Sequence, residues 1–568
     1  MIPLVELLYI VLDADEKLWT LTERAKVLQV KESGLGQIAF SVVPCAAGFL
    51  PYPSVSVYSC RNIGVGIIRC TDGKVTKVKE GGCMVFLLKY GIRYGGWILV
   101  ITFLLAFIVY SFENGDNITH LSRRNVGSDQ HLFSQSIVHL DLKGAPPILP
   151  VYTWLFPLLK NFGVRGVLIE YEDMFPYSGN LTLVRRSSHY TVQNIMEINK
   201  IAEMNDLEVI PLVQTFGHME FILKKPMFAV LRENPSKIHA LHPKSRRIHI
   251  GADEASHIGE DDRCRIQLAK MNEIDEHRAL EKLKIAHIAR VARTARKFGF
   301  NEVFAWNDMF DKAEVEDMHD AKLGELITPV IWGYKLDVTT KGYFPDNLFE
   351  RFSQVFKSIY FASAFKGANS REENFIDLDR YLSNHMSYVK LYRENRKNLE
   401  GHVGGIILTG WQRYSHYAPL CELLAISIPS LITDLVYLEN ITHSRNKLWD
   451  FVKSFLKCPI DVDQRNATVT VGNITYTPHK DAFLGNCGFE GKELYKLIMQ
   501  DLHKLEWKVH HLKLWPVPRN LLIMEINSLA EKVSKELTKY YYADDVNEFL
   551  NTKILILKSA IFQSMDSF

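Results

Sequence analysis

The chain has 568 residues, of which 47% are hydrophobic and 23% charged, a composition typical of globular proteins. Its 67 Lys and Arg nearly balance its 65 Asp and Glu, so the basic excess of a nucleic-acid-binding protein is absent and we expect no nucleic-acid partner. The eight cysteines include no CxxC pair, so their spacing predicts neither a zinc finger nor a disulfide framework. We therefore expect no metal and no cofactor.

Residues 95–112 form an apolar run of eighteen residues without a charge, which is the lower limit for a membrane-spanning helix. Several lysines and arginines precede this run, whereas Glu113 and Asp116 follow it directly. The positive-inside rule then places the N-terminus in the cytosol and the rest of the chain in the lumen. The pattern predicts a single-pass type II membrane protein of the Golgi or another secretory compartment.

The segments around this run carry little information. Residues 1–83 show no clear period or motif, apart from two possible short strands at 38–43 and 54–58, and our hypothesis is that they are not part of the native protein. Residues 84–112 are interpreted as a cytosolic tail and transmembrane signal anchor, and the polar residues 113–133 as a stem.

From 134 to 435, apolar segments alternate with segments of helical period. The eight strand candidates are 137–142, 167–171, 209–213, 247–251, 303–306, 330–332, 359–362 and 405–408. Eight such strands over about 300 residues predict an α/β fold, a (β/α)₈ TIM barrel. A doubly wound open sheet is the competing fold, but no glycine-rich phosphate motif follows the first strand. Residues 436–568 are predicted to be mostly helical, with a packing face at Leu494, Ile498, Leu502, Leu505 and Val509 that leaves a homodimer possible.

Polar and aromatic residues follow the predicted strands, where parallel barrels place their catalytic residues. The most prominent are Asp253 and Glu254, which follow a strand that breaks at Gly251. Adjacent strand residues point to opposite faces, so both acids can act on one substrate only where the backbone turns. A solvated strand end would explain a random acid pair. Acids combined with several strand-end tryptophans and tyrosines instead indicate a sugar-binding pocket.

Six segments resemble glycoside hydrolase family 20, the β-N-acetylhexosaminidases, and within it the hexosaminidase D branch. They are VHLDLKGAPP (138–147), LIEYEDMFPY (168–177), EVIPLVQTFGHMEF (208–221), IHIGADE (248–254), ASAFKGA (362–368) and GIILTGWQRYSHY (405–417). The resemblance implies exo-hydrolysis of terminal β-linked GlcNAc or GalNAc from glycans, in which the substrate's acetamido oxygen is the nucleophile.

The resemblance also implies residue roles. Glu254 would be the general acid and then the base, and Asp253 would orient the acetamido group and raise the pKa of Glu254. His218 would support the acid pair. The residues expected to bind substrate are Tyr334, Trp306, Trp332, Trp411, Asp308, Glu172 and Asp141.

The chain departs from the family pattern at four places, one of which is Ala252 where the family motif has a cysteine. Lys143-Gly144 stands where the lysosomal branch has an arginine, and Arg413 stands where that branch has a glutamate. Between Asn234 and Ser236, in comparison with the hexosaminidase D branch, the chain lacks some twenty-five to thirty residues, including most of the helix before the fourth strand, and we expect an exposed flank there.

Two other functions stay open on the sequence. A metal-dependent barrel hydrolase would use His249, Asp253, His257 and Asp261 as ligands, although metal-binding barrels usually repeat histidines on several strands. The other is a catalytically weakened sugar-binding barrel, which the apparent deletion suggests.

Overall fold

A computed structural model describes residues 132–563, with gaps at 226–244, 256–257, 261, 272, 461–467, 472–473 and 512–517, together with six short strands between residues 6 and 73. The chain divides into two compact units, Met1–His120 and Leu121–Phe568.

The first unit contains the six strands, four more than the sequence suggested. They are β1 (Glu6–Asp13), β2 (Trp19–Leu21), β3 (Ala25–Val30), β4 (Val42–Pro44), β5 (Ser54–Asn62) and β6 (Ile68–Gly73). Four of them form an antiparallel sheet in the order β3-β1-β5-β6, and β2 pairs with β4. That residues 1–83 are not part of the native protein stays a hypothesis.

The second unit is built on the predicted barrel, which the structure confirms. Its strands are β7 (Ser136–Asp141), β8 (Gly166–Glu170), β9 (Glu208–Leu212), β10 (Arg247–His249), β11 (Glu302–Trp306), β12 (Thr328–Trp332), β13 (Ile359–Lys366) and β14 (Val403–Gly410). They close in the order β10-β11-β12-β13-β14-β7-β8-β9, and every described pairing within the barrel is parallel.

The two-residue period of the strands decides what fills the barrel. The interior hydrophobic cluster comprises Ile137, Leu168, Ile210, Leu212, Phe304, Trp306, Val330, Tyr360, Ala362 and Ile407. The intervening strand residues, such as Val138 and Ile169, belong to the layer between barrel and helices. The same alternation directs His139, Glu170 and His249 inward, so buried polar groups lie in the barrel near its carboxyl end.

Helices surround the strands. They are α1 (Leu149–Asn161), α2 (Val192–Met204), α3 (Glu220–Leu223), α4 (Asp262–Lys270), α5 (Glu276–Lys297), α6 (Val315–Asp320), α7 (Leu323–Leu326), α8 (Leu348–Val355), α9 (Leu378–Glu394), α10 (Arg396–Leu399) and α11 (Ile428–Glu439). Capping explains several starts: the Thr191 hydroxyl accepts the Asn194 N–H, and Asp275 and Asp377 cap α5 and α9 in the same way. Between β9 and β10 the described residues form only the short α3, and the apparent deletion at 234–236 lies outside them.

Beyond α11 the chain is mostly helical. It contains α12 (Arg445–Phe455), a hairpin of β15 (Val469–Val471) and β16 (Ile474–Tyr476), α13 (Lys492–Lys496), α14 (His503–His510), α15 (Arg519–Leu537), α16 (Ala543–Phe549) and α17 (Leu557–Gln563). All five residues of the predicted packing face are buried, from Leu494 to Val509. A disulfide joins Cys458 to Cys487, which the cysteine spacing did not predict.

The localisation prediction requires correction. In the described part of the chain, no helix is long and apolar enough to cross a bilayer. The apolar run 95–112, on which the type II anchor, the lumenal placement and the Golgi assignment all depended, lies outside the described residues, as do the tail that begins at 84 and most of the stem.

Candidate active site

The turn that follows β10 leaves the strand through a strained backbone. Gly251, Ala252 and Glu254 have φ angles of 65°, 71° and 46°, a region that residues with a side chain rarely adopt. Gly251 also lies against Gln214, whose Oε1 would be 1.9 Å from a Cβ at that position. The backbone conformation and the close approach both favour glycine at 251. Strain of this kind in a barrel loop is typical of a functional site.

The two acids on this turn lie in different environments. Asp253 is only 6% exposed, whereas the Glu254 side chain is 56% exposed. Both approach one histidine: His218 Nε2 lies 3.1 Å from Glu254 Oε2 and 3.5 Å from Asp253 Oδ2. His218 itself has φ 51°, and the neighbouring Gly217 gives the Asp253 carbonyl the space that a Cβ would fill. The structure therefore brings the three predicted catalytic residues together.

The pKa values of the two acids are in the reverse of the expected order. Burial raises the pKa of Asp253 to about 7; the charge of His218 opposes this shift, and those of Asp308, Glu170 and Glu254 add to it. The hydrogen bond from His218 instead lowers the pKa of Glu254, which is the reverse of the raised value that the sequence suggested. Although burial alone would lower the pKa of His218, the hydrogen bond to Glu254 and the charge of Asp253 raise it to about 9. A proton therefore resides on His218 near neutral pH.

Asp308 contacts the acid pair, and an aromatic wall formed by Trp332, Tyr334 and Trp411 lies beside it. Asp308, after β11, accepts the Glu254 backbone N–H at 2.8 Å and the Trp332 indole N–H at 2.9 Å. Its carboxylate therefore positions both neighbours. Tyr334 lies beside Trp332, with ring centroids 5.4 Å apart, and 6.3 Å from Trp411. Burial raises the pKa of Tyr334, so its hydroxyl stays protonated and able to donate a hydrogen bond.

Trp306 lies deeper than the other two tryptophans. It is 1% exposed and belongs to the interior cluster of the barrel, against which Trp332 and Trp411 pack. Its ring centroid is 4.3 Å from that of His249 and 6.1 Å from that of Trp411. Trp306 therefore supports the aromatic wall from below, while Trp332 and Trp411 are the partly exposed rings.

Two predicted substrate-binding acids lie at the carboxyl ends of the first two barrel strands: Asp141 ends β7 and Glu172 follows β8. The Asp141 carboxylate accepts the backbone N–H groups of Lys143 at 2.8 Å and Gln412 at 2.9 Å, so it ties the first strand to the last. Glu172 is buried and contacts both Lys143 and His416. Sequence reasoning noted Lys143 only as a departure and did not single out His416, which is more than two hundred residues from Glu172 along the chain.

The metal-ligand set is not assembled in the described residues. His249 Nδ1 accepts the Gly251 N–H at 3.0 Å, so its proton is on Nε2 and neither nitrogen offers a lone pair. Burial lowers the pKa of His249 to about 3, which keeps this ring neutral. Among the described residues no group of three potential ligands is suited to a metal ion, and His257 and Asp261 lie outside them.

Comparison with known proteins assigns the family, although no family model matches the chain. The chain is 38% identical to Hexosaminidase D of Bos taurus over 318 residues, which cover 52% of this chain and 89% of the bovine protein. The chain belongs to the hexosaminidase D family. It is also 38% identical to Hexosaminidase D of Homo sapiens over 323 residues, covering 53% of this chain and 64% of the human protein.

Solved structures are more distantly similar to this hexosaminidase D family member. A β-N-acetylhexosaminidase from Bacteroides fragilis aligns at 12% identity and a TM-score of 0.39, covering 57% of this chain and 70% of that one. An exo-β-N-acetylglucosaminidase from Vibrio harveyi aligns at 13% identity and a TM-score of 0.38, covering 58% of each chain.

Proposed function

We propose that this chain is an exo-β-N-acetylhexosaminidase that removes terminal β-linked GlcNAc or GalNAc from glycoconjugates. The observation that carries the proposal is the acid pair on the turn after β10, with Asp253 buried, Glu254 half exposed and His218 contacting both. Membership of the hexosaminidase D family supports it.

The two environments suit two roles in substrate-assisted catalysis. Glu254 lies where a leaving group can depart to solvent, and it donates a proton to the glycosidic oxygen as the C1–O bond breaks. The acetamido carbonyl oxygen of the substrate attacks C1, and an oxazolinium ion forms. Glu254 then takes a proton from water, which attacks C1 and restores the acetamido group with overall retention of configuration.

We assign Asp253 the role of holding the nucleophile. Its Oδ1 has no hydrogen-bond partner among the described residues, so it is available to the acetamido N–H. A buried carboxylate there stabilises the positive charge that develops on the oxazolinium ion. The Tyr334 hydroxyl is the donor we assign to the acetamido oxygen, and Trp332 and Trp411 form the apolar wall around the methyl group and the sugar ring.

His218 supplies the proton that Glu254 needs. Because Glu254 has a lowered pKa, it is largely ionised in the free enzyme, whereas His218 is protonated up to about pH 9. Transfer along the 3.1 Å hydrogen bond from His218 Nε2 to Glu254 Oε2 gives the protonated acid. His218 thus acts through Glu254 rather than on the sugar.

Release of a chromophore from aryl β-GlcNAc and aryl β-GalNAc tests the proposal, with a thiazoline analogue of the oxazolinium ion as inhibitor. We expect hydrolysis of at least one substrate and its inhibition by the thiazoline. Well-folded protein that hydrolyses neither substrate would refute the proposal, and retained sugar binding without hydrolysis would identify a sugar-binding barrel.

A further inference from the structure

A short helix of the C-terminal region, α16, is joined to loops at the barrel mouth. In the segment that leads into this helix, the Tyr540 carbonyl accepts the Ile148 N–H at 2.9 Å. An isolated antiparallel bridge joins Tyr541 to Pro147, after β7, and the Tyr541 hydroxyl accepts the Ala425 N–H at 3.0 Å, after β14. The six segments that resemble the enzyme family end at residue 417, so the resemblance gives α16 no role.

Two acids on one face of α16 each pair with an arginine of the barrel. Asp545 and Glu548 are three residues apart, which places them on the same side of the helix. Asp545 Oδ1 accepts from Arg186 Nη2 at 2.6 Å. Glu548 Oε1 accepts from Arg413 Nη2. These four residues, here named the mouth clamp, join α16 to the loops that follow β8 and β14.

Both arginines of the mouth clamp contact the turn after β7. Arg186 Nη1 donates to the Gly144 carbonyl at 3.3 Å. The Arg413 guanidinium lies so close to Gly144 that a Cβ at that position would be 2.5 Å from its Nε. Gly144 also has a φ of 93°, so both its conformation and this contact favour glycine. The turn therefore accommodates the Arg413 guanidinium directly against its backbone.

The same turn is joined to the residues that follow β14. Gln412 donates its backbone N–H to Asp141 Oδ2 at 2.9 Å and its side-chain N–H to the Ala145 carbonyl at 2.9 Å. Arg413, the next residue, extends this seam between the first and the last barrel strand. Trp411 precedes Gln412 and belongs to the aromatic wall. The seam therefore fixes the backbone that carries the Trp411 ring.

Burial makes the position of Arg413 depend on Glu548. Arg413 is only 8% exposed, and its Nε has no hydrogen-bond partner among the described residues. Within that part of the chain, Glu548 is the acid that forms an ion pair with its guanidinium. Removing one partner of a buried pair leaves an uncompensated charge, which is strongly unfavourable. Without Glu548, the Arg413 side chain is therefore expected to turn toward solvent and to leave Gly144.

The contacts of the mouth clamp lead from α16 to the sugar-binding pocket. We propose, on the basis of the function above, that Glu548 is a positioning residue for this pocket and acts through Arg413 on Trp411. Asp545 supports the adjoining turn through Arg186. The aromatic wall contacts the sugar in the ground state and in the transition state alike, so its displacement weakens binding more than it slows the chemical step. A helix outside the barrel thus takes part in substrate binding.

Steady-state kinetics of Glu548→Gln, Arg413→Met and the double variant on aryl β-GlcNAc and aryl β-GalNAc test the proposal. We expect KM to rise on the order of 10-fold in each single variant, with a smaller fall in kcat, as for loss of one coupled contact. Because Glu548 acts through Arg413, the double variant should have the same KM as Arg413→Met. Calorimetric titration with the thiazoline should show the same pattern in Kd.

KM and Kd do not depend on how much of a variant is folded. A merely structural role for Glu548 would therefore leave both unchanged and lower only the apparent kcat. Glu525→Gln is the matched control, because Glu525 pairs with Lys508 at 2.6 Å between two other C-terminal helices, α14 and α15. It should keep the wild-type KM and Kd.

Two results would overturn this inference alone: wild-type KM and Kd in Glu548→Gln, or increases that add in the double variant. A wild type that hydrolyses neither aryl glycoside but binds the thiazoline would overturn the proposed function, and the Kd values would then decide the role of Glu548. A wild type that neither hydrolyses nor binds would overturn both.

Discussion

The two ends of the barrel use buried charge in different ways. At the amino end, Arg247 begins β10 and bonds to Glu208 at 2.6 Å and to Gln135 at 3.0 Å, while Ser245 also donates to Glu208. At the carboxyl end of the same strand, Asp253 keeps an oxygen without a partner among the described residues, and the backbone enters the left-handed region at several positions.

The amino end of β10 therefore contributes to stability, and its carboxyl end carries the candidate site. Satisfied pairs in relaxed backbone stabilise the fold, whereas we propose that the unpaired groups on the strained turn serve a ligand. The comparison predicts that substitutions at the carboxyl end remove activity at little cost in stability, and that substitutions at the amino end do the opposite.

The largest effect should come from Glu254→Gln, which removes the proposed general acid and base. We expect kcat to fall about 10²- to 10⁴-fold, with little change in Tm because the side chain is half exposed. Aryl substrates with acidic leaving groups should be affected less, since they need less protonation. Substantial residual activity that does not depend on the leaving group would assign the acid to another residue.

The pH dependence of kcat/KM should reflect the shifted groups of the cluster. Asp253 loses its charge below a pKa of about 7, and His218 loses its proton above about 9, so we expect activity to decline on both sides of this range. His218→Gln should remove the alkaline decline and lower the maximum rate. An unchanged alkaline limb in this variant would exclude His218 as the proton donor to Glu254.

At the amino end, Arg247→Met should lower stability without changing catalysis. The substitution leaves Glu208 without its charged partner in a partly buried position, and we expect a cost of about 1–3 kcal/mol, seen as a lower midpoint in urea. Arg396→Met is the matched control, because its pair with Glu400 is exposed to solvent and contributes little to stability. A marked fall in kcat/KM for Arg247→Met would contradict the division between the two ends.

Asp253→Asn should have the opposite effect on stability. The folded pKa of Asp253 is raised from 3.8 to about 7, so its protonated form is favoured in the fold and stability is lost as the pH rises between these two values. We therefore expect the asparagine variant to have a higher Tm than the wild type at pH 8, by on the order of a few degrees, and an equal Tm only at or below about pH 4. A lower Tm at pH 8 would show that the Asp253 charge stabilises the fold.

The smallest expected effect is that of chelation. Because His249 presents no lone pair to a metal ion, dialysis against EDTA should leave the rate of hydrolysis unchanged. Loss of activity on chelation, restored by added zinc, would favour the metal-dependent hydrolase instead.

Much of this architecture was predictable from local patterns. Alternation of apolar strands with helical segments predicted all eight barrel strands, because an apolar run and a turn signal are local properties of the chain. The position of Asp253 and Glu254 after a glycine at a strand end was sufficient to predict the acid pair. The strands between residues 6 and 73 were mostly missed, since their sequence lacks a clear two-residue period.

Other features depend on residues that are distant in sequence. The contact between Glu172 and His416, the hydrogen bond from the Glu254 backbone to Asp308 and the disulfide from Cys458 to Cys487 join separate segments, and no local period predicts them. The order of the two acid pKa values was also predicted wrongly, because burial and the orientation of His218 determine it.

The sequence by itself thus determined the barrel, the order of its strands and the strand ends that carry acids and aromatic rings. Only the tertiary structure decided which of the two acids is buried, that His218 carries the proton, and which side chains from other strands surround the acid pair. The physical reason is that secondary structure depends on short-range periodicity, whereas desolvation and charge interactions depend on distances between groups that the closed barrel brings together.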